Sequence, residues 1–369
     1  MPATAPDGFE EWLHAPMPDQ PSDARFEVRR AQPAEFDRIY DLVDAAFDTR
    51  RPRAFSEWLY RRNPRGLARC VMIIDKRSKQ LVASGVQWPW PAARGAEPLE
   101  GVVTGDGAVA PRWQRQGLND LRIRVRNAHP WFARGMSIGW PNMKSAAAAR
   151  KHGRGGHLYG PLPRGVLVLR TRDYLARRGW PPALAAPSAL ASDAALNAWQ
   201  RLALVKRDRV QVEAVRRFDA AFDAITAAAM TWQGFWCPHD AAFLNWRYLD
   251  HPTHTYVAFA ATTADAPTPI GYYVVRIDGA RATLMELACA TPAPGLMRAL
   301  LSHAIDTCRT GGCTRVGFFA TPGWPAWPFL RRAGFLSLAS DLMVTLREPG
   351  SSGTDLSRWQ LLPGDCDAF

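Results

Sequence analysis

The run Phe55-x-x-Trp58-x-Tyr60-x-x-x-Pro64 occurs a second time, 188 residues on, as Phe243-x-x-Trp246-x-Tyr248-x-x-x-Pro252. A repeat of that length constrains architecture more than any single element, because repeated sequence specifies repeated structural units. The flanking sequence repeats as well. Glu27-Val28-Arg29-Arg30 followed by Phe36-Asp37-x-Ile39 has a counterpart in Val215-Arg216-Arg217 followed by Phe222-Asp223-x-Ile225. Val82 to Val86 matches Ile270 to Val274, and Ala110-Pro111 matches Thr291-Pro292. Arg150-Lys151-x-Gly153 matches Arg331-Arg332-x-Gly334-Phe335.

Each copy reads as strand, helix, hairpin, strand, helix, strand, helix, strand. In the first copy the strands are expected at Phe26 to Arg30, Val71 to Asp75, Leu81 to Trp88, Glu100 to Val109, Met136 to Trp140 and Gly165 to Arg170. Helical spacing of apolar residues marks Pro33 to Phe47, Asn119 to Asn127 and Ser145 to His152, the last stopped by Gly153. That order predicts an α/β chain of the α+β type: two tandem domains, each a mixed, mostly antiparallel sheet flanked by helices. The domains are expected over residues 22–175 and 209–348, meeting at the edges formed by their final strands. Residues 1–21 read as an N-terminal tail anchored by Trp12, and 349–369 as a C-terminal tail. Residues 176–208 read as a linker, with some helical content in the Pro/Ala-rich part.

The stretch Val109-Ala-Pro-Arg-Trp-Gln-Arg-Gln-Gly-Leu-Asn119 joins a β-branched strand to a helix. Strand, basic loop, glycine and helix form the arrangement that binds a pyrophosphate. Loop N–H groups point inward, Gly117 admits close approach, and the helix N-terminus adds partial positive charge. Arg112 and Arg115 add full charges. The stretch resembles the acyl-CoA loop V-x-P-x-x-[Q/R]-x-x-G-x-[G/A] of the GCN5-related N-acetyltransferases (GNAT superfamily), with Val109, Pro111, Gln114 and Gly117 matching and Asn119 departing from the final small residue. Downstream, Asn142-x-x-Ser145-x-x-Ala148-Ala149-Arg150-Lys151-x-Gly153 resembles the later family motif N-x-x-[A/S]-x-x-L-Y-x-K-x-G-F. Here Ala149 stands where the family has the tyrosine that protonates the leaving thiolate. The closing run Trp359 to Phe369 is also similar to the ending of tandem GNAT-like proteins.

The resemblance implies an acyl-CoA-dependent N-acyltransferase, with acetyl-CoA or another acyl-CoA as co-substrate and no metal. It implies direct transfer in a ternary complex, with a backbone N–H near Val109 polarising the thioester. The residues expected to hold the acyl-CoA are Ala108, Val109, Gln114, Arg115, Gln116, Gly117, Leu118, Asn119, Asn142, Ser145 and Lys151. The acceptor is expected to be the primary amine of a small molecule or amino sugar, and the protein a monomer or homodimer. The second copy is degenerate. Its loop, Pro292-Ala-Pro-Gly-Leu296, is three residues shorter between proline and glycine, lacks basic and amide side chains, and loses a donor N–H at Pro294. Gly323 and Leu330 replace the Asn142 and Ala149 positions. One acyl-CoA site is therefore expected, in the first copy.

Amine acylation requires a base for the ammonium and a proton for the thiolate. Asp106, three residues before Val109, is the candidate base, with Glu100 behind it. The alternative for Asp106 is a Gly-Asp-Gly bend. Glu286, on the second copy's equivalent strand, is a candidate base in a cleft shared between the domains. Tyr159 is the candidate acid in place of the missing tyrosine, against a role in the core, and water is the alternative for both steps. His129, His152 and His157 lie near the motifs and read as surface or cap residues. Trp88, Trp90 and Trp113 fit either an aromatic acceptor cleft or core packing, and Arg150 either CoA phosphate contact or a solvated helix face. A non-catalytic sensor or scaffold that keeps the acyl-CoA site is the competing reading.

The net charge is +12. The basic residues are five lysines and 41 arginines, scattered rather than clustered. A scattered excess suits a polyanionic co-substrate better than a nucleic-acid partner, and none is expected. The six cysteines form no C-x-x-C pair, which argues against zinc. No signal-peptide pattern and no apolar stretch of membrane-spanning length is present, so a cytoplasmic protein without a membrane span is expected.

Overall fold

The computed structural model describes residues 8–17, 25–129, 134–152, 156–204, 210–228, 233–263, 266–290, 293–350 and 355–366. The first half runs α1 (Gly8–His14), β1 (Phe26–Arg30), α2 (Phe36–Phe47), α3 (Arg53–Arg61), β2 (Arg69–Asp75), β3 (Leu81–Arg94), β4 (Glu97–Val109), α4 (Leu118–Asn127), β5 (Met136–Gly139), α5 (Met143–His152), β6 (His157–Tyr159) and β7 (Arg164–Val168). Then come α6 (Arg172–Arg177) and α7 (Pro182–Ala203). The second half runs β8 (Val210–Ala214), α8 (Ala221–Ala228), β9 (Phe235–Trp236), α9 (Ala241–Leu244), β10 (Tyr256–Thr263), β11 (Ala266–Asp278), β12 (Arg281–Cys289), α10 (Pro294–Thr310), β13 (Arg315–Phe319), α11 (Trp327–Arg332), β14 (Leu336–Leu338), β15 (Val344–Arg347) and β16 (Trp359–Gln360).

Local chemistry explains the first elements. In α2, Phe36, Ile39, Tyr40, Leu42 and Val43 share one buried face, while Asp37, Arg38 and Asp41 are exposed. Asp48, at φ 53°, caps its C-terminus in the left-handed region that Asp tolerates. Every residue of β2 is buried, and β3 is buried from Val82 to Ala93, because α2 and α4 pack on this sheet. The N-terminal α1 buries Phe9 and Trp12 in the same core.

Two mixed sheets result. The first has the order β1-β2-β3-β4-β5-β15-β6, and the second β14-β7-β13-β12-β11-β10-β8. In each, the central contact is one parallel pair, β4 with β5 and β12 with β13. The final strands are exchanged. β7, from the first half, lies between β13 and β14 of the second sheet, and β15, from the second half, lies between β5 and β6 of the first. The copies are thus successive in sequence but interlocked in the sheets; their last strands do not simply abut at an edge.

The repeated aromatic run forms the seam between the halves. Trp58 and Trp246 stack with centroids 4.5 Å apart and planes 15° apart. Each indole N–H donates to the other tryptophan's backbone carbonyl, at 2.8 Å from Trp58 and 3.1 Å from Trp246. Trp90 meets the edges of Phe243 and Trp246. The Pro/Ala-rich stretch read as a linker belongs to α7, which starts with proline in its first turn and is rich in alanine, the best helix former. α7 is docked rather than loose. Asp193 accepts from the Thr171 N–H at 2.8 Å, and Trp199 donates to the Arg332 carbonyl at 3.0 Å.

Candidate functional site

The site begins with a fault in β4. Ser84 pairs with Ala108 and Val86 with Gly105, so Gly85 alone faces both Asp106 and Gly107. That β-bulge turns the end of β4 aside, and Asp106 occupies it at φ 44°. Pairing of β4 with β5 stops at Thr104–Gly139. Beyond that point the strands part and open a cleft of about 1340 Å³, lined by residues 104–109, the following loop and α4 on one side and by residues 139–143, Ser145 and Ala149 on the other.

The loop at the cleft's mouth is a 3₁₀ turn, Pro111–Trp113, followed by extended Gln114. Arg115 at φ 62° and Gly117 at φ 77° put two left-handed residues around Gln116. Such alternation turns successive N–H groups to one side. Gly117 is also the N-cap of α4, whose first N–H groups have no partner inside the helix. The Gln114 side chain donates to the Val109 carbonyl at 3.4 Å and that of Gln116 to the Arg112 carbonyl at 3.3 Å, tying the loop's shape. Of the residues expected to hold acyl-CoA, Ala108, Val109, Gln114, Arg115, Gly117, Leu118, Asn119, Asn142 and Ser145 line this cleft. Gln116 supports the loop from outside the lining. Asn142 is the N-cap of α5, its Oδ1 accepting from the Ser145 N–H at 2.9 Å. Lys151 is in α5, but its side chain, like Gly153, Thr291 and Pro292, lies outside the described residues.

The catalytic candidates fall elsewhere or are engaged. Asp106 lines the cleft, yet Arg51 donates to both its oxygens at 3.0 and 2.9 Å, and the Tyr60 hydroxyl donates at 2.6 Å. Burial, then the Asp106 charge, hold the Tyr60 hydroxyl well above its ordinary pKa, so Tyr60 keeps its proton and donates. The second half repeats the pairing. The Tyr248 hydroxyl donates to Glu286, which stands beside the bulge of β12. Glu286 is therefore removed from any shared cleft: it is 2% exposed and its oxygen is also 2.9 Å from His239 Nδ1. His239 Nε2 is 2.9 Å from Asp365. Burial lowers the His239 pKa, but the charges of Glu286 and Asp365 outweigh it and raise it to about 10, so the ring is a cation between two carboxylates.

Tyr159 is likewise displaced from the expected position. It sits on β6, paired to Val344 of the exchanged β15, and does not line the cleft. Trp88 and Trp90 are core residues, Trp90 at the seam, and of these three tryptophans Trp113 reaches the cleft. Glu100 is on the far part of β4, opposite Pro91. His129 is buried, and burial with the nearby Arg30 and Arg69 pulls it down to about 4. Ala149 does line the cleft, so the motif's tyrosine position presents a methyl group. Among the described lining residues there is no Tyr, His, Cys, Glu or Lys.

The corresponding place in the second sheet, between β12 and the end of β13, is filled by the chain itself. Thr321, just beyond β13, donates its N–H to the Leu361 carbonyl at 3.2 Å, and the Leu361 N–H donates to the Thr321 hydroxyl at 3.1 Å. Gly364 lies so close to Glu286 and Tyr248 that a methyl group there would collide with both. Arg247, 1% exposed, donates to the carbonyls of Gly364 and Cys366 at 3.1 and 2.7 Å. Sequence reading saw a tail here. The signal was present in the Trp359-x-Leu-Leu-Pro run, whose apolar density suits a buried segment rather than a solvated one.

No family model and no curated protein matches the sequence. Solved structures match by fold. A conserved protein of Enterococcus faecalis V583, named a probable N-acyltransferase, is 13% identical with a TM-score of 0.61 over 88% of this chain and 73% of its own. A GCN5-related N-acetyltransferase of Anabaena variabilis is 12% identical, TM-score 0.56, over 88% and 72%. Saccharomyces cerevisiae N-myristoyltransferase with bound myristoyl-CoA is 9% identical, TM-score 0.54, over 89% and 84%. The chain has the GNAT acyltransferase fold. Among the described residues no helix is long and apolar enough to cross a membrane.

Proposed function

We propose that the chain is an acyl-CoA-dependent N-acyltransferase with one co-substrate site, in the cleft of the first sheet. The observation that carries this reading is the contrast between two equivalent places. The first opens behind a loop with two left-handed residues and a helix N-terminus; the second is closed by residues 359–366. The 3′-phosphate and pyrophosphate of CoA would meet Arg115, the loop N–H groups and the first turn of α4, with Asn119 and Ser145 beside them. The pantetheine arm would lie against residues 105–109, where a backbone N–H near Val109 would polarise the thioester carbonyl.

In the reaction the amine nitrogen of a small molecule or amino sugar attacks that carbonyl. The C–N bond forms, the C–S bond breaks, and CoA leaves as a thiolate that gains the proton the nitrogen loses. With Asp106 held by Arg51 and Tyr60, and with Ala149 in place of a tyrosine, water carries the protons. Asp106 then acts by fixing the bulge.

Calorimetric titration with acetyl-CoA tests the site. One site per chain, lost in the double variant Gly117→Asp, Arg115→Glu, is the expected result. The engaged Asp106 and the methyl of Ala149 favour a second reading, a non-catalytic acyl-CoA sensor. Thiol release on adding amines separates the two: a sensor binds acyl-CoA and releases no thiol.

A further inference from the structure

Ten large apolar side chains are exposed among the described residues. Phe47 and Met143 line the cleft of the first sheet. The other eight lie in two neighbouring places: from Tyr174 to Leu202 through α6 and α7, and at Leu336 and Leu338 on β14, an edge strand of the second sheet. α7 reaches that edge. Trp199 donates to the Arg332 carbonyl at 3.0 Å, and Leu196 lies beside Gly334. Apolar side chains grouped in this way on a folded surface mark a contact with something outside the chain.

α7 carries the larger part. One side of it is buried through Ala185, Ala189 and Gln200, with α6 packed against the helix, so α7 lies on the surface. Its outer side inverts the usual pattern of a surface helix. Among its exposed residues Ser192 and Arg201 are polar, and the rest are alanine, proline, leucine and tryptophan. Leu190 and Leu202 are each 73% exposed. At 3.6 residues per turn, Leu190 and Trp199 stand about half a turn apart with Leu184 and Leu202 between them, on a helix about 33 Å long.

The charges around this face have one sign. Residues 170–204 hold Arg170, Arg172, Arg177, Arg178 and Arg201 against Asp173 and Asp193. Asp193 is engaged by the Thr171 N–H at 2.8 Å, a bond that sets Arg170 and Arg172 beside the middle of the helix. Arg331 and Arg332 are exposed at its far end, next to Trp199. A second copy laid on this face would bring arginines against arginines, which opposes self-association. An anionic lipid surface answers both features: its acyl region takes the leucines and tryptophans, and its headgroups take the guanidinium groups. A half-exposed helix about 10 Å across also matches the depth of roughly 5–10 Å to which interfacial helices sink.

We propose that α7, with Trp180 just before it, is a membrane-docking face that lies flat on a bilayer rich in anionic phospholipid. The face and its partner are argued independently of the acyltransferase reading.

The test is flotation of the full chain, over a range of lipid concentration, with vesicles of equal parts phosphatidylcholine and phosphatidylglycerol and with vesicles of phosphatidylcholine alone. Binding to the mixed vesicles is expected to be about tenfold or more tighter than to the neutral ones, since each arginine near an anionic surface adds to the attraction. Leu190→Glu with Leu202→Glu is expected to weaken binding to the mixed vesicles by about tenfold or more, with a melting curve to report its fold. Should that variant fail to fold, hydrogen exchange of the wild type decides: mixed vesicles are expected to slow exchange across residues 182–203, and unchanged exchange there overturns the proposal. Equal binding by wild type and variant, or to both kinds of vesicle, overturns it as well. So does a lack of binding to the mixed vesicles. A dimer in sedimentation that the variant makes monomeric overturns it by assigning the face to a second copy. None of these outcomes bears on the co-substrate site, which the acetyl-CoA titration reads separately.

Discussion

Substituting His239 by glutamine tests whether the second cleft is held shut by its buried cation. His239 lies 2.9 Å from both Glu286 and Asp365, and all three side chains are within 5% of full burial. Glutamine keeps hydrogen-bonding capacity but removes the charge, leaving two buried carboxylates uncompensated. Removing one member of a buried ion pair costs about 3–5 kcal/mol. For a chain of this size, with a urea dependence of about 3 kcal/mol/M or more, the denaturation midpoint should fall by roughly 1 M or slightly more.

The pH dependence gives a second, sharper check. The folded-state pKa of His239 is raised to about 10, above the value of about 6.5 it takes in an unfolded chain. A raised pKa stabilises fully below the unfolded value, and that contribution drains away as pH rises toward the folded value. The gap between wild type and His239→Gln should therefore be widest below about pH 6.5 and shrink steadily up to about pH 10. Urea denaturation at half-unit pH steps measures it. A pH-independent gap, or a loss under about 1 kcal/mol, would refute the view that His239 is a charged clamp.

Three other outcomes follow from the geometry. Asp106→Asn should keep acyl transfer within about tenfold while lowering stability by about 1–3 kcal/mol, because Arg51 keeps Asp44 but loses the charged partner of its Nη1; a loss of a hundredfold or more in thiol-release rate would instead mark Asp106 as a general base. Trp58→Ala should cost about 3–5 kcal/mol in urea denaturation, and Trp58→Ala with Trp246→Ala clearly less than the two single losses added, because they share one stack and two reciprocal hydrogen bonds. Residues 1–175 and 176–369 produced separately should be insoluble and should recover a soluble complex only when co-expressed, since each lacks a strand the other supplies; a soluble, cooperatively melting 1–175 would contradict the interlocked sheets.

What could be read from sequence was what local chemistry encodes. A loop that turns its N–H groups to one side announces itself through Gly117, its arginines and the helix that follows. Hairpins, and the face of α2, follow from alternation and from helical spacing. The exchange of β7 and β15 is of another kind. Both are short apolar strands with nothing in their alternation to name a partner, and pairing is settled by which sheet edge the connecting segment reaches. Arg122 was invisible for a related reason: on α4 it reads as one more charge on a basic helix, and only Gly85 of β3 and Gly107 of β4 make room for it to lie inward.

The candidate bases show how a repeat informs chemistry. Asp106 and Glu286 stand at matching places, and the sequence offers each as a candidate base, Asp106 against a Gly-Asp-Gly bend and Glu286 by way of a cleft shared between the domains. In the structure each takes a proton donor from the same repeated tyrosine, Tyr60 or Tyr248, at a bulge of the central strand. The second copy has a shorter loop and a cleft filled by its own chain, yet it keeps the pair. A feature retained where the cleft is filled is explained by what both copies share, the bent end of the central strand. The carboxylates thus belong to the scaffold that parts β4 from β5. What distinguishes the first copy is everything the second lost: the long loop, the glycine at α4, and an unfilled cleft.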